Sequence, residues 1–301
     1  MEPVNATATA DAPRPLLAVD KLVVEYRSGG RRRPSLRVLH EVSLEVHAHE
    51  TVGLVGESGS GKTTLGRAVL GLAPVAGGTI TFAGTRIEGL GRRARRGLSR
   101  DIQVVFQDPY GSLNPSMTIG DILTEPLTAR HTHTRRAARE RIGELLDAVG
   151  LPADTAERSA RELSGGQRQR VAIARALAPA PRLIICDEPV SALDLSTRAQ
   201  VINLLVELQQ ATGVAYLFIA HDLSVVGHVS DRVAVMSRGE IVECGDAARV
   251  TTDPEHPYTR ALLLAAPVPN PARQAERRAA RHRLAAQGAQ GAQGAQGARV
   301  G

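Results

Sequence analysis

Tryptophan is absent from the 301 residues, and four tyrosines and three phenylalanines bring the aromatic share to only 2%. The core must therefore be built from aliphatic side chains, which a 43% hydrophobic chain supplies in quantity. Cysteine occurs twice, as Cys186 and Cys244, without CxxC spacing. That scarcity excludes a zinc cluster or four-cysteine iron–sulfur ligation within the chain and fits a reducing cytoplasm. No run comes near the ~18 consecutive apolar residues of a membrane span, and residues 1–20 lack the charged start and apolar centre of a secretory signal. The expectation is a chain that does not cross a membrane by itself. Positive charge is in excess, +6 overall, but from Ala272 onward six arginines face the single Glu276, so this stretch alone carries +5. The body is near neutral, and nucleic acid is not expected as a partner.

What is present begins at residue 56. Directly after the apolar run Thr51-Val52-Gly53-Leu54-Val55 comes GESGSGKTT, with the spacing Gly56-x4-Gly61-Lys62-Thr63. A strand that ends in this pattern and opens a helix is a phosphate-binding loop. Glycines let the backbone fold tightly round an anion with its N–H groups turned inward, and the helix start adds the positive end of its dipole. Lys62 is expected to reach the β- and γ-phosphates, and the Thr63 hydroxyl to hold Mg²⁺. A glycine-rich turn that binds nothing would account for the glycines, but not for the lysine and threonine. The chain is thus expected to bind a nucleoside triphosphate.

Residues 16–26 and 38–46 alternate like strands around the arginine-rich loop RSGGRRRPSLR, and residues 1–15 read as a disordered lead. The pattern predicts a helix over 62–72, strands at 77–84, 102–106, 183–186 and 214–220, a helical region over 117–150, and a helix from Ser196. Alternating strands and helices imply a mainly parallel sheet wrapped by helices. The end, EHPYTRALLLAAPVPNP, reads as a short helix bounded by prolines, followed by an arginine-rich stretch and Ala-Gln-Gly units that form a flexible tail.

The run LIICDEP places Asp187 and Glu188 at the tip of a buried strand beside the phosphate loop. Asp187 would bind Mg²⁺, directly or through water, and Glu188 would act as general base on the attacking water. Between the two motifs lies LSGGQRQR, residues 163–170. With Gln107 in VVFQDP, Asp194 in SALD and His221 in IAHD, this octet resembles the nucleotide-binding subunits of ATP-binding-cassette (ABC) transporters. The resemblance covers residues 16–271, with every motif in the family's order.

The resemblance implies a P-loop NTPase fold of ABC type: an α/β domain over 16–253 with a mainly parallel sheet core, an antiparallel β subdomain and a helical subdomain at about 108–180. It implies ATP and Mg²⁺ as cofactors and ATP hydrolysis as the activity. The cradle would be Gly56, Glu57, Ser58, Gly59, Ser60, Gly61, Lys62, Thr63 and Thr64, with Tyr26 stacked on adenine. Gln107 would sense Mg²⁺ and the attacking water and couple them to the transporter, and His221 would contact the γ-phosphate. Ser164 is a good N-cap, so the N–H groups of Gly165, Gly166 and Gln167 form a second anion site at a helix start. One chain thus carries two half-sites for one phosphate chain. In the family a head-to-tail dimer resolves this: the signature caps ATP held by the opposite subunit, with Asp194 at the interface.

The stretches FQDPYGSLNPSMTIGDIL and HPYTRALLLAAPVPNP resemble the ATPase subunits of oligopeptide and dipeptide importers, and DPYGSLNP most resembles the second of the paired subunits. Expected partners are transmembrane permease subunits, a paralogous ATPase or a second copy of the chain, and indirectly a solute-binding protein. The expected location is peripheral, on the cytoplasmic face of the plasma membrane. Residues 254–271 would form the importer-type C-terminal extension and 272–301 a basic low-complexity tail. Import of nickel or another small solute is the alternative, and a non-transport ATPase the more distant one. Only about 100 residues separate Lys62 from Ser164, which leaves no room for the long coiled coils of DNA-repair relatives.

Overall fold

The computed structural model describes residues 14–27, 35–128 and 134–265. Nearly all of the expected lead, the centre of the arginine-rich loop, the end of the extension and the tail 272–301 lie outside the described residues.

Two sheets organise the chain. The first is antiparallel, built from β1 (Leu17–Tyr26), β2 (Leu36–Val46), β4 (Val75–Phe82) and the short β5 (Thr85–Arg86), in the order β2-β1-β4-β5. The second has six strands: β3 (Thr51–Val55), β6 (Ile102–Val105), β7 (Leu183–Asp187), β8 (Ala215–Ala220), β9 (Arg232–Ser237) and β10 (Glu240–Asp246). Their order is β10-β9-β3-β8-β7-β6; all neighbours are parallel except β10, which turns back along β9. Helices α1 (Lys62–Val69), α2 (Arg92–Leu98), α3 (Pro109–Ser112), α4 (Ile119–Thr128), α5 (Arg135–Ala148), α6 (Gly165–Leu177), α7 (Leu195–Thr212), α8 (Leu223–Val229), α9 (Ala247–Thr252) and α10 (Pro257–Ala265), with short 3-10 turns at Ala153–Glu157 and Ala160–Glu162, complete the elements of the described residues.

The central strands are buried on both faces, so each side of the sheet receives alternate residues. Val52, Leu54, Ile185, Leu217, Ile219, Ala234 and Met236 face one apolar cluster, which they share with α1 and the antiparallel sheet. Ile184, Cys186, Tyr216, Phe218, Val233 and Val235 face the other, filled by α4 to α8. The period of two thus decides which layer each side chain joins. Only two aromatics, Phe218 and Tyr216, are buried in the middle of the large sheet; aliphatic residues fill the rest, as the composition requires.

Expected strands and helices recur with small shifts at their ends. The helix expected over 62–72 ends at Val69, because Gly71 takes a left-handed φ of 73° that a helix cannot continue through. The single helical region expected over 117–150 is two helices. Thr134 caps the second, its side chain accepting from the Ala137 N–H at 3.3 Å, so the chain restarts there. β9 and β10 come in addition to the expected strands. No helix among the described residues is long and apolar enough to cross a membrane.

Candidate functional site

In a parallel sheet the strand tips emerge along one edge, and here Val55 pairs with Ala220 while Asp187 pairs with Ile219. The phosphate loop, the acidic pair and His221 are therefore neighbours although they lie far apart in sequence. The loop's glycines have distinct reasons. Gly59 and Gly61 take left-handed φ values of 81° and 110°, a region that side chains other than glycine's resist. Gly56 has no such angle; a Cβ there would fall 2.1 Å from the backbone oxygen of Met236 on β9. The Gly239 N–H, in the β9–β10 turn, donates to the Ser60 oxygen at 2.9 Å and props the loop from behind.

Lys62, the first residue of α1, is 4% exposed, and its Nζ donates to the carbonyl oxygens of Gly56 at 2.8 Å and Glu57 at 2.9 Å. Burial lowers the ammonium pKa, against the opposing pull of the Glu188 and Asp187 carboxylates. The lysine does not stand in an empty cradle: it bridges the loop that a phosphate would have to enter. Next to it, the Thr63 hydroxyl donates to Asp187 Oδ1 at 2.9 Å. Glu188 follows Asp187 with a left-handed φ of 50°, and its N–H donates to the Ile219 oxygen at 3.0 Å. Glu188 Oε2 stands 3.7 Å from His221 Nδ1.

A cleft of about 330 Å³ collects Ser58, Gly59, Gly61, Lys62, Thr63, Thr64, Gln107 and Glu188, together with Val38 on β2. Asp187 reaches it through Thr63, and His221 through Glu188. Glu57 and Ser60 turn to the other side of the loop, where they line a second cleft. Tyr26, 36% exposed, sits at the end of β1 opposite Leu36, and its ring is not part of the cleft wall.

The signature residues stand elsewhere. Ser164 caps α6: its hydroxyl accepts from the Gln167 N–H at 3.3 Å and its own N–H donates to Gln167 Oε1 at 3.0 Å. The expected trio of open N–H groups therefore narrows to those of Gly165 and Gly166, since that of Gln167 is taken by the cap. A Cβ on Gly166 would fall 2.4 Å from Thr197 Cγ2, which sets α6 close against the start of α7. Asp194 caps α7, accepting from the N–H groups of Ser196 at 3.1 Å and Thr197 at 3.0 Å. These bonds hold its carboxyl far below the usual carboxylate range. None of Ser164, Gly165, Gly166, Gln167 or Asp194 touches the cleft of its own chain.

Two contributors escape sequence reasoning. Val38 lines the cleft from a strand that reads only as sheet. Tyr258, on α10, accepts from the Glu57 N–H at 3.1 Å; HPYT is visible in the sequence, but nothing in it points to the phosphate loop.

Residues 39–191 match the family described as ABC transporter, and residues 242–294 match the oligopeptide/dipeptide transporter C-terminal region. The glutathione import ATP-binding protein GsiA of Escherichia coli K12 is 49% identical over 280 residues, covering 92% of this chain and 45% of that protein. The GsiA of Shigella flexneri matches to the same extent. The chain spans about half the length of the curated relatives it matches. Among solved structures, the dimeric ATP-binding cassette MJ0796 in a post-hydrolysis state with ADP and Pi superposes with a TM-score of 0.68 at 28% identity, over 77% of this chain and 98% of that one. CbiO1 of Clostridium perfringens, part of the transporter complex cbiONQ, gives a TM-score of 0.70 at 26% identity, over 79% and 91%. With the family match running from β2 through the phosphate loop and signature to Asp187 and Glu188, and the cassette fold present in the same chain, the protein belongs to the ABC transporter family.

Proposed function

We propose that the chain is the ATP-hydrolysing cassette of an importer for oligopeptides, dipeptides or glutathione-like peptides, working through separate permease subunits. The observation that carries this reading is the convergence of Lys62, Thr63, Gln107 and Glu188 on one cleft, in a chain whose end matches the oligopeptide/dipeptide transporter C-terminal region. Peptide and glutathione import are one chemical class, since glutathione is itself a tripeptide. Nickel or another small solute is the second reading.

The phosphate chain of ATP would lie along Ser58 to Thr64, with Lys62 released from the Gly56 and Glu57 carbonyls to meet it. The donor set suits Mg²⁺: Thr63 Oγ1 and Asp187 Oδ1 are hard oxygens 2.9 Å apart, and the Gln107 side chain faces the same cleft. Bound there, Mg²⁺ would neutralise charge on the phosphates. Glu188, oriented by its backbone bond to Ile219 and facing His221, would take the proton of the attacking water. His221 would turn to the γ-phosphate, and Tyr26 would approach the adenine.

Because the signature and Asp194 lie away from the chain's own cleft, a second cassette would have to complete the site. A paralogue, with this chain as the second subunit of the pair, or another copy would serve. We keep residues 16–253 as the ATPase domain, with its helical subdomain at about 108–180, and 254–271 as the importer-type extension. The permease would dock near Gln107, a solute-binding protein would deliver cargo to the permease, and the cassette would lie on the cytoplasmic face of the membrane.

The test is uptake of labelled dipeptide, pentapeptide, glutathione and nickel after deletion of the gene in its host, with complementation by the wild type and by Lys62→Ala. Loss of peptide or glutathione uptake, restored only by the wild type, is expected. Loss of nickel uptake alone would favour the second reading, and uptake that is unchanged throughout would refute both.

A further inference from the structure

The phosphate loop is gripped from outside by a residue 201 positions further along the chain. The Glu57 N–H donates to the Tyr258 hydroxyl at 3.1 Å, while the Glu57 carbonyl oxygen accepts from Lys62 Nζ at 2.9 Å and from the Ser60 N–H at 3.2 Å. Both polar groups of one peptide residue are thereby committed, one to the C-terminal helix and one to the cleft. When Lys62 leaves for a phosphate, the carbonyl loses its charged donor. The bond from the N–H to Tyr258 does not depend on the lysine and remains.

Tyr258 is itself firmly placed. Its N–H donates to His256 Nδ1 at 3.2 Å. Just ahead of α10, the N–H groups of Glu255 and His256 donate to the two carboxylate oxygens of Glu243 at 2.8 and 3.1 Å. Glu243 is 8% exposed on β10, the strand paired with β9, whose Met236 leaves no space for a side chain at Gly56. Tyr258, Leu262 and Leu263 pack on the core beside α8. The ring therefore belongs to the apolar packing, while the hydroxyl stands at the mouth of a cleft of about 580 Å³ between the loop and the β9–β10 turn. A bond at such an edge adds little to folding and much to the local geometry of the loop.

We propose that Tyr258 is a positioning residue for the phosphate loop: by holding the Glu57 peptide it keeps the cradle in shape while Lys62 changes partners, and so ties nucleotide affinity to the placement of α10. The proposal rests on the reading that this loop binds ATP. It also makes the coupling reciprocal, because whatever the nucleotide does to the Glu57 peptide must be felt at α10.

The test uses the full chain and the Tyr258→Phe variant, which keeps the ring and removes the hydroxyl. Without nucleotide, exchange of the Glu57 amide proton should speed up by about 10-fold or more, while the thermal midpoint and the exchange of α10 stay as in the wild type. The Kd for ATP should weaken about 3- to 10-fold, the range of one hydrogen bond, and KM should follow it with kcat little changed. Unchanged Glu57 exchange together with unchanged ATP affinity overturns the proposal. So does a lowered midpoint with faster exchange throughout α10, which would make the hydroxyl merely structural. A wild-type chain that binds no ATP overturns the functional reading and the affinity half with it, whereas normal wild-type binding with an unaffected variant overturns the proposal alone.

Discussion

The Thr63 hydroxyl donates to the Asp187 carboxylate across 2.9 Å, joining the start of α1 to the tip of β7 over 124 positions of sequence. The bond closes the floor of the cleft and leaves Asp187 partly stripped of water. Burial raises its pKa above the ordinary carboxylate value; the Thr63 bond and the charges of Arg67 and Lys62 work against this, and Glu188 works with it.

An acid whose pKa is raised on folding binds its proton more tightly in the folded chain. Stability is therefore favoured where Asp187 is protonated and is lost as the pH rises through the raised value. Asp187→Asn keeps an acceptor for Thr63 and removes the charge. At neutral pH the nucleotide-free variant should melt higher than the wild type. The gap should close as the pH falls and the wild-type carboxyl takes up its proton, and ATP hydrolysis should be lost at every pH. Calorimetry across pH checks the sign: a variant that melts lower at neutral pH would contradict it.

Lys62→Ala should have a cost apart from chemistry. The Gly56 and Glu57 carbonyls lose a charged donor, worth about 1.5–3 kcal/mol for a hydrogen bond to a charged group, although the Glu57 oxygen keeps the Ser60 N–H. We expect a lower melting temperature without nucleotide and no further rise when ATP and Mg²⁺ are added. Thermal shift measurements with and without nucleotide separate the two effects, and a rise in Lys62→Ala on adding ATP as large as that of the wild type would exclude Lys62 from phosphate binding.

Ser164→Arg should leave ATP binding by the single chain intact, because Ser164 is not part of its own cleft. Hydrolysis by the assembled transporter should nevertheless fall by about 100-fold or more, in line with removing preorganised donors to a phosphate. Glu188→Gln, which retains shape but not the base, should hold two cassettes together in ATP and Mg²⁺, as light scattering with and without a co-expressed partner cassette would reveal. If no association occurs and Ser164→Arg hydrolyses normally, the shared site is wrong.

The phosphate loop was legible because its constraints are local: left-handed glycines at 59 and 61 and a lysine at a helix start need no knowledge of the rest of the chain. The buried strands at 51–55 and 214–220 were equally legible as short apolar runs, but the layer each residue joins was not, because every position is buried and no polar face marks the side. The break between α4 and α5 depends on a single cap at Thr134, a weak signal within a long stretch of helical period. The Glu57–Tyr258 bond was beyond reach, because no periodicity relates a loop residue to a phenol 201 positions away. Gln167 shows a subtler limit: the sequence offered its N–H as a ligand, while the structure commits it to the Ser164 cap.

Glu188 occupies a left-handed backbone conformation, φ 50°, in which a residue other than glycine carries a penalty of about 1–2 kcal/mol. Folding by itself would prefer glycine here, with asparagine next. Heat resistance and turnover therefore pull position 188 in opposite directions. In a randomised library passed through repeated heating with no demand for transport, glutamate should drift away from this position within a few rounds. Under selection for uptake alone it should return, even from a starting chain that is more stable without it.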